Sequence, residues 1–409
     1  MKKKLIKRDI LDEIAHFLDT DNIIVLHGPR QVGKTHIMYL LQNFLVEKGK
    51  RAYFVDLEDP KNVGALNMGV ESFLDLLSKA GFNLKKIEDG DERLFVFIDE
   101  IQYLKNTSSF LKLIVDHHKY LQLIVSGSSS FDIKRKFTDS LVGRTVNFEI
   151  LNLSFREFLR FKDVKFNAAD ITKGPFLPEV VRLYGEYMSY SGYPKVVLAD
   201  GIKDKEKLLS QIIDTYVRKD IKDLAEIREI GKFNDLLTLL ASQSGQLLNV
   251  NELSNTLKSD HRTIERYLSI LENTYMIKLI YAFSNSARVG VVKSPKIFFY
   301  DTGLVQMLTR GHLSQESFGN LFETSIFSEL AKKYGIREIH FWRTPTQTEV
   351  DFVTTKRGEI KPFEVKVNFN SFNRKAILSF CEKYKVKDYK VVGLRGEPRD
   401  EHFIYPWQL

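Results

Sequence analysis

The chain has 409 residues, 43% of them hydrophobic and 28% charged, which is apolar material for roughly two to four packed domains and excludes a natively disordered chain. With 61 Lys and Arg against 53 Asp and Glu, the formal charge is +8, which permits nucleic-acid contact without requiring it, because lysine excess also serves solubility. No apolar run approaches a membrane span, the basic N-terminus lacks the apolar core of a signal peptide, and the single cysteine, Cys381, leaves no disulfide framework or zinc cluster. A cytoplasmic protein with no membrane partner is expected.

The first strong pattern is the apolar run Ile23-Ile24-Val25-Leu26, followed by Gly28-Pro29-Arg30-Gln31-Val32-Gly33-Lys34-Thr35 and then, from His36 to Val46, apolar residues at helical spacing. Strand, G-x-x-x-x-G-K-T loop and helix in that order form a phosphate loop. Its glycines let successive N–H groups surround a phosphate, and the helix points its positive end at it. Residues Gly28 to Thr35 are therefore assigned to ATP, with Lys34 reaching the β- and γ-phosphates and the Thr35 hydroxyl on Mg²⁺. Arg51-Ala52-Tyr53-Phe54-Val55-Asp56 reads as another strand.

Leu94-Phe95-Val96-Phe97-Ile98-Asp99-Glu100 is an apolar strand ending in two acids. Asp99 is expected to hold the magnesium shell, and Glu100 to orient and deprotonate the attacking water. A further strand, Leu121 to Gly127, leads into Ser128-Ser129-Ser130; Ser126 or Ser128 is placed to sense the γ-phosphate, because ligands sit beyond the carboxyl ends of strands in an open α/β sheet. Arg144, in Leu141-Val142-Gly143-Arg144, is the candidate cation over the developing charge, in its own subunit or on a neighbour, and Arg30 competes for that role.

Strand and helix alternate to about residue 150, as in a doubly wound parallel sheet. Residues 151–242 become helical, clearest at Phe155 to Phe161 and Ile212 to Ile227 and interrupted by Ser191-Gly192-Tyr193-Pro194, and read as a helical lid. Residues 243–310 change again. A short helix, Val250 to Leu257, capped by Asn251, a polar turn at Lys258-Ser259-Asp260 and a second helix with apolar Ile264, Tyr267, Leu268, Leu271 and Tyr275 form a helix-turn-helix pattern. Strand-like Ile277 to Phe283 and Lys296 to Tyr300 fit a wing. His261, Arg262 and Arg266 are the candidate DNA contacts, although Glu265 shares their face.

Residues 311–409 carry a second candidate chemistry. An amphipathic helix over Leu321 to Leu330 bears Glu323, and the alternating segments Glu349 to Val353 and Pro362 to Val367 flank Lys356-Arg357-Gly358-Glu359. A two-residue turn at Arg357-Gly358 places Asp351 opposite Glu364 and Glu349 opposite Lys366, all on one face. Facing carboxylates repel unless compensated. A divalent cation, Mg²⁺ or Mn²⁺, held by Glu323, Asp351 and Glu364 with Lys366 beside it, would do so. The plainer reading is a charged hairpin face on which Lys366 neutralises its neighbours, and Pro362 argues against an undisturbed central strand.

Taken in order, Gly28 to Thr35, Phe97-Ile98-Asp99-Glu100-Ile101-Gln102, Ser126-Gly127-Ser128-Ser129, Leu141 to Arg144, Ser191 to Pro194, Glu349-Val350-Asp351 and Glu364-Val365-Lys366 resemble a prokaryotic family of AAA-type P-loop ATPases with a winged-helix region and a C-terminal domain of unknown function. The tail resembles the PD-(D/E)xK restriction-endonuclease fold, in which Asp351, Glu364 and Lys366 match the metal-binding acids and lysine, and Glu323 a helical acid. The resemblance implies an α/β architecture of ATPase core (1–150), helical lid (151–242), winged helix (243–310) and nuclease-like domain (311–409). The expected activity is Mg²⁺-dependent ATP hydrolysis driving a switch or motor on DNA. A metal-dependent nuclease regulated by ATP, and an ATP-controlled switch for a protein partner, are the alternatives; a homo-oligomer is the setting in which Arg144 would serve a neighbour.

Overall fold

The structure, a computed structural model, describes residues 5–127, 141–216, 229–284, 294–315 and 319–409. The chain divides into two compact units, Met1–Leu151 and Asn152–Leu409.

In the first unit a short helix α1 (Ile10–Ala15) precedes strand β1 (Ile23–His27) and helix α2 (Lys34–Glu47). There follow β2 (Arg51–Asp56), α3 (Pro60–Asn67), α4 (Val70–Lys79), α5 (Leu84–Glu88), β3 (Leu94–Asp99), α6 (Thr107–His117), β4 (Leu121–Gly127) and β5 (Thr145–Glu149). The five strands form one sheet in the order β2-β3-β4-β1-β5, with every pairing parallel. A parallel sheet needs cover on both faces, which is why β3 and β4 are mostly apolar and are buried throughout. Alternate residues Ile23, Val25, Val96, Ile98, Leu123 and Val125 pack with Phe73, Leu77, Leu111 and Ile114 on one face. Because the strands are parallel, the ends of β1, β3 and β4 emerge along one edge, and His27, Asp99 and Gly127 bring the polar motifs there together.

The second unit begins with α7 (Phe155–Phe161), α8 (Leu177–Tyr190), α9 (Pro194–Val197) and α10 (Ile202–Thr215). Ser154 caps α7 through a reciprocal capping box with Glu157. The expected helix over Ile212 to Ile227 is α10 at its start, and most of it lies outside the described residues. Next come α11 (Ile230–Ser242), α12 (Val250–Leu257), α13 (His261–Asn273) and the antiparallel pair β6 (Ile277–Ile280) and β7 (Lys296–Phe299). The cap of α12 is Asn249, whose side chain accepts from Glu252 N–H, and not Asn251, which lies inside the helix. Lys258 takes a left-handed φ of 48° and Asp260 caps α13, so the turn falls at the expected residues. Ile264, Tyr267, Leu268, Leu271 and Tyr275 are all buried.

Helices α14 (Thr302–Arg310) and α15 (Gly319–Tyr334) lead to β8 (Ile339–Arg343), β9 (Glu349–Thr354), β10 (Lys361–Asn368), α16 (Arg374–Tyr384), β11 (Lys390–Arg395) and β12 (Phe403–Ile404). These strands form a mixed sheet ordered β12-β11-β10-β9-β8. The β6–β7 pair does not stand apart from it. Phe298 stacks on Phe327 of α15 at 4.8 Å and meets Phe352 of β9 at 5.2 Å. Shared apolar packing of this kind explains why the regions expected as lid, winged helix and C-terminal domain fall in a single compact unit.

Asp301, 2% exposed, joins three parts of this unit. Its carboxylate accepts from Asn152 Nδ2 at 2.7 Å, Ser191 Oγ at 2.9 Å, Gly192 N at 2.9 Å and Leu304 N at 3.1 Å. The Ser191-Gly192-Tyr193-Pro194 motif is thus a docking turn for Asp301; a Cβ on Gly192 would stand 2.9 Å from the Leu153 carbonyl. Asp301→Ala leaves several buried donors without their acceptor and is expected to cost roughly 3 kcal/mol or more. Urea unfolding checks this; a loss below about 1 kcal/mol would show the hub to be dispensable. Among the described residues no helix is long and apolar enough to cross a membrane.

Candidate functional site

At the shared strand edge of the first unit, the loop from Gly28 to Thr35 bends through three left-handed or otherwise positive φ values, 148° at Gly28, 63° at Gln31 and 96° at Gly33. Gly28 also tolerates no side chain, since a Cβ there would lie 2.0 Å from the Ile150 carbonyl oxygen. Gly33 is the N-cap of α2, so the loop runs directly into the helix N-terminus. Lys34 is buried, and its ammonium donates to the carbonyls of Gly28 at 3.0 Å and Pro29 at 2.7 Å.

Asp99, 4% exposed at the end of β3, faces that loop. It accepts from Thr35 Oγ1 at 2.7 Å and, through its other oxygen, from Ser126 Oγ. Ser126 lies beside Leu26 of β1 and also accepts from Glu100 N–H at 3.2 Å. Glu100 adopts a left-handed φ of 57°, uncommon for a residue with a side chain, and Gln102 Nε2 donates to its carboxylate. Thr35, Asp99, Glu100 and Ser126 are therefore brought together from separate elements. The Thr35 hydroxyl and Asp99 carboxylate are adjacent hard oxygen donors, the set that suits Mg²⁺. Ser128 lies outside the described residues.

Arg144 stands elsewhere. Its carbonyl accepts from Ile23 N–H at 2.8 Å, beside the start of β1. The loop leaves the far end of that strand, about 16 Å away at the rise of a five-residue strand. Arg144 therefore does not reach the phosphate loop of its own chain. Its guanidinium is held by Asp116 in two hydrogen bonds, of 2.8 and 3.2 Å, and service to a neighbouring copy would first break that pair. Arg30, the competing arginine, stays in the loop, half-buried.

In the second unit, the β9–β10 hairpin has the expected register, with Thr354 opposite Lys361, Val353 opposite Pro362 and Phe352 opposite Phe363. Arg357 and Gly358 both have positive φ, 55° and 81°, and Glu359 N–H closes the turn on Lys356 O at 3.1 Å. Pro362 is accommodated without a bulge. The ladder stops before Asp351 and Glu364, because the Asp351 carboxylate itself accepts from Val365 N–H at 2.7 Å. Lys366 lies between the two acids, 3.2 Å from Asp351 and 2.8 Å from Glu364.

The expected metal set is not assembled. Lys296, a lysine from β7 that sequence reasoning passed over, enters the cluster and contacts Glu323 of α15 at 3.2 Å and Glu349 of β9 at 2.6 Å. Arg343 holds the other Glu349 oxygen at 3.2 Å, so Glu349 is drawn away from Lys366. Among the described residues no group of three or more His, Cys, Asp and Glu side chains is arranged to hold a metal ion. Two lysines supply the positive charge that the facing carboxylates require. Burial alone would lower the Lys296 ammonium, but Glu323, Glu349 and Asp351 outweigh it and hold it above the ordinary lysine range.

Glu364 is 6% exposed, and its Oε2 has no hydrogen-bond partner. Burial, and then the Asp351 carboxylate, push it up to about 7 against the pull of Lys366. Burial pushes Glu323 up to about 7 as well, with Lys296 opposing and Asp351 adding to the rise. A carboxyl raised from 4.5 keeps a proton in the folded state that the unfolded chain releases. Its stabilising contribution is complete below pH 4.5 and is lost as the pH rises to about 7. The urea midpoint is accordingly expected to fall between pH 5 and 7.5, and to fall less in Glu364→Gln, which stays neutral. An identical fall in both proteins would contradict this assignment.

Residues 20–159 match the model of an AAA domain, residues 181–315 a domain of unknown function, DUF8612, and residues 318–408 another, DUF4143. The first part of the chain is thus similar to AAA domains. An uncharacterised protein of Haemophilus influenzae is 27% identical over 94% of this chain and 93% of its own. One of Methanocaldococcus jannaschii is 27% identical over 95% and 83%. Among solved structures, the AMPPCP-bound DnaA of Aquifex aeolicus aligns at 15% identity over 64% of this chain and 86% of its own, with a TM-score of 0.31. C. elegans PCH-2 aligns at 11% identity over 66% and 71%, with a TM-score of 0.28. Likenesses this slight carry no argument about function.

His261, Arg262 and Arg266 are exposed on α13. His261 Nδ1 lies 3.5 Å from Glu265 Oε2, one helical turn on.

Proposed function

We propose that this chain is a Mg²⁺-dependent ATPase whose nucleotide state switches the second unit, and that it acts on DNA. The observation that carries the first part is the convergence of Lys34, Thr35 and Asp99 at a helix N-terminus, with Glu100 beside them. Thr35 and Asp99 would hold Mg²⁺, which would supply charge neutralisation on the transferring phosphate. The loop N–H groups bind and orient the phosphates, and Lys34 turns from its two carbonyls toward them. Glu100, fixed by Gln102 and by the Ser126 hydroxyl on its N–H, takes a proton from the attacking water.

The DNA part is supported by the +8 charge and by the order α11, α12, α13, β6, β7, which resembles that of a winged helix, with Arg262 and Arg266 on its exposed face. Metal-dependent cleavage takes second place, because Lys296 and Lys366 already compensate the acids that it would need. Hydrolysis measured with and without single- and double-stranded DNA tests the reading. Stimulation, together with DNA affinity that falls in Arg262→Ala/Arg266→Ala with a salt slope reduced by about 2, is expected. Hydrolysis indifferent to DNA, with no DNA binding, would overturn the DNA part and favour a protein partner.

A further inference from the structure

Arg8 lies in the segment before α1, next to Lys7 in the basic N-terminus, yet it is 4% exposed. Its guanidinium donates from Nη1 to the Val32 carbonyl at 2.8 Å and from Nη2 to the Leu151 carbonyl at 3.0 Å. Val32 is a phosphate-loop residue with no exposed surface. The same segment is held at a second point, where His36 Nε2 lies 3.2 Å from both the amide nitrogen and the carbonyl oxygen of Ile6. Burial lowers the His36 imidazole below its ordinary range.

The peptide geometry gives this contact a consequence. In a trans peptide the C=O of one residue and the N–H of the next point in opposite directions. A donor that fixes the Val32 carbonyl therefore also fixes the Gly33 N–H on the opposite side of the peptide. Without that donor the carbonyl would be a buried acceptor in search of a partner, and the Val32–Gly33 peptide could rotate to find one, the more readily because glycine permits many ψ and φ values. The planar fork of arginine spans two carbonyls at once, which a lysine ammonium on a single stem does not do with the same fixed geometry.

We infer that Arg8 is a positioning residue for the nucleotide site: it sets the Val32–Gly33 peptide so that the Gly33 N–H faces the phosphates. It acts through the loop backbone and touches no reacting atom. The inference rests on the proposed ATP reading.

The test uses the full chain, with Mg·ATP and a fluorescent ATP analogue as probes. Arg8→Ala is expected to bind ATP about tenfold more weakly or worse, the scale of one lost charge-assisted hydrogen bond, while its circular dichroism stays that of the wild type. Millimolar ethylguanidine is expected to restore part of the affinity in Arg8→Ala and none in Lys34→Ala. Arg8→Lys, which keeps the charge, covers the case in which Arg8→Ala does not fold, and is expected to weaken binding without equal loss of stability. ATP affinity and turnover unchanged in both variants, or reduced only in proportion to melting temperature and deaf to ethylguanidine, would overturn the role of Arg8. A wild-type chain that binds no ATP would overturn the nucleotide reading itself.

Discussion

Lys34→Ala is expected to weaken ATP binding by a factor of about 10²–10³ and to abolish hydrolysis, whereas Glu100→Gln keeps ATP bound and loses hydrolysis by about 10²–10⁴. The difference follows from position. Lys34 is buried within the loop, with its ammonium over the Gly28 and Pro29 carbonyls, so its charge is placed for the phosphates of the ground state and of the transition state alike. Glu100 sits past the end of β3 in a left-handed conformation, where its carboxylate is directed by Gln102 and where, on the proposed reading, it serves the reacting water alone. Equilibrium binding of a fluorescent ATP analogue separates the two variants, with phosphate release as the second readout. Equal ATP affinity in the wild type and Lys34→Ala would contradict the account.

Lys296→Met is expected to destabilise the second unit by about 3–5 kcal/mol, the range for removing one partner of a buried ion pair. The Lys296 side chain is 5% exposed and meets Glu323 at 3.2 Å and Glu349 at 2.6 Å. Methionine keeps the length of the stem, so the loss is one of charge. Its removal leaves the Glu323 carboxyl, already displaced upward by burial, with no cation against it, while Arg343 still serves Glu349. Adding Glu323→Gln to Lys296→Met should recover part of the loss, because the leftover acid is then neutral, and the two changes will not be additive. Thermal melting measures it, with a shift of roughly 10 °C for the single variant in a unit of this size. A Lys296→Met protein that melts with the wild type would show that the cluster is held together by something else.

What could be read from the residues was local. The phosphate loop, the strand before Asp99 and the β9–β10 turn each carry their instructions within a short window: glycines where φ must be positive, unbroken apolar runs where a strand is covered on both faces, and Arg357-Gly358 where a two-residue turn closes. The places where the reading failed depend on distant partners. Lys296 looks like one more exposed lysine beside Pro295, and only the packing of Phe298 on α15 and β9 carries it into an acidic cluster whose other members follow later in the chain. That lysine pairs with Glu323, one of the acids given to a metal ion. Arg8 was hidden in the same way among basic neighbours. The same-subunit role given to Arg144 failed because its position relative to the loop depends on the direction of β5, which runs parallel to β1 and so begins at the opposite edge. The choice of Asn249 over Asn251 as a cap turned on a shift of two residues, within the reach of either side chain.

The most direct measurement is phosphate release from ATP by the full chain, with Mg²⁺ and with EDTA, in the presence of single- and double-stranded DNA, set beside Glu100→Gln. The account predicts turnover that requires Mg²⁺ in the wild type and is lost in Glu100→Gln while ATP remains bound. ATP bound by the wild type without turnover under any of these conditions, or turnover undiminished in Glu100→Gln, would contradict it.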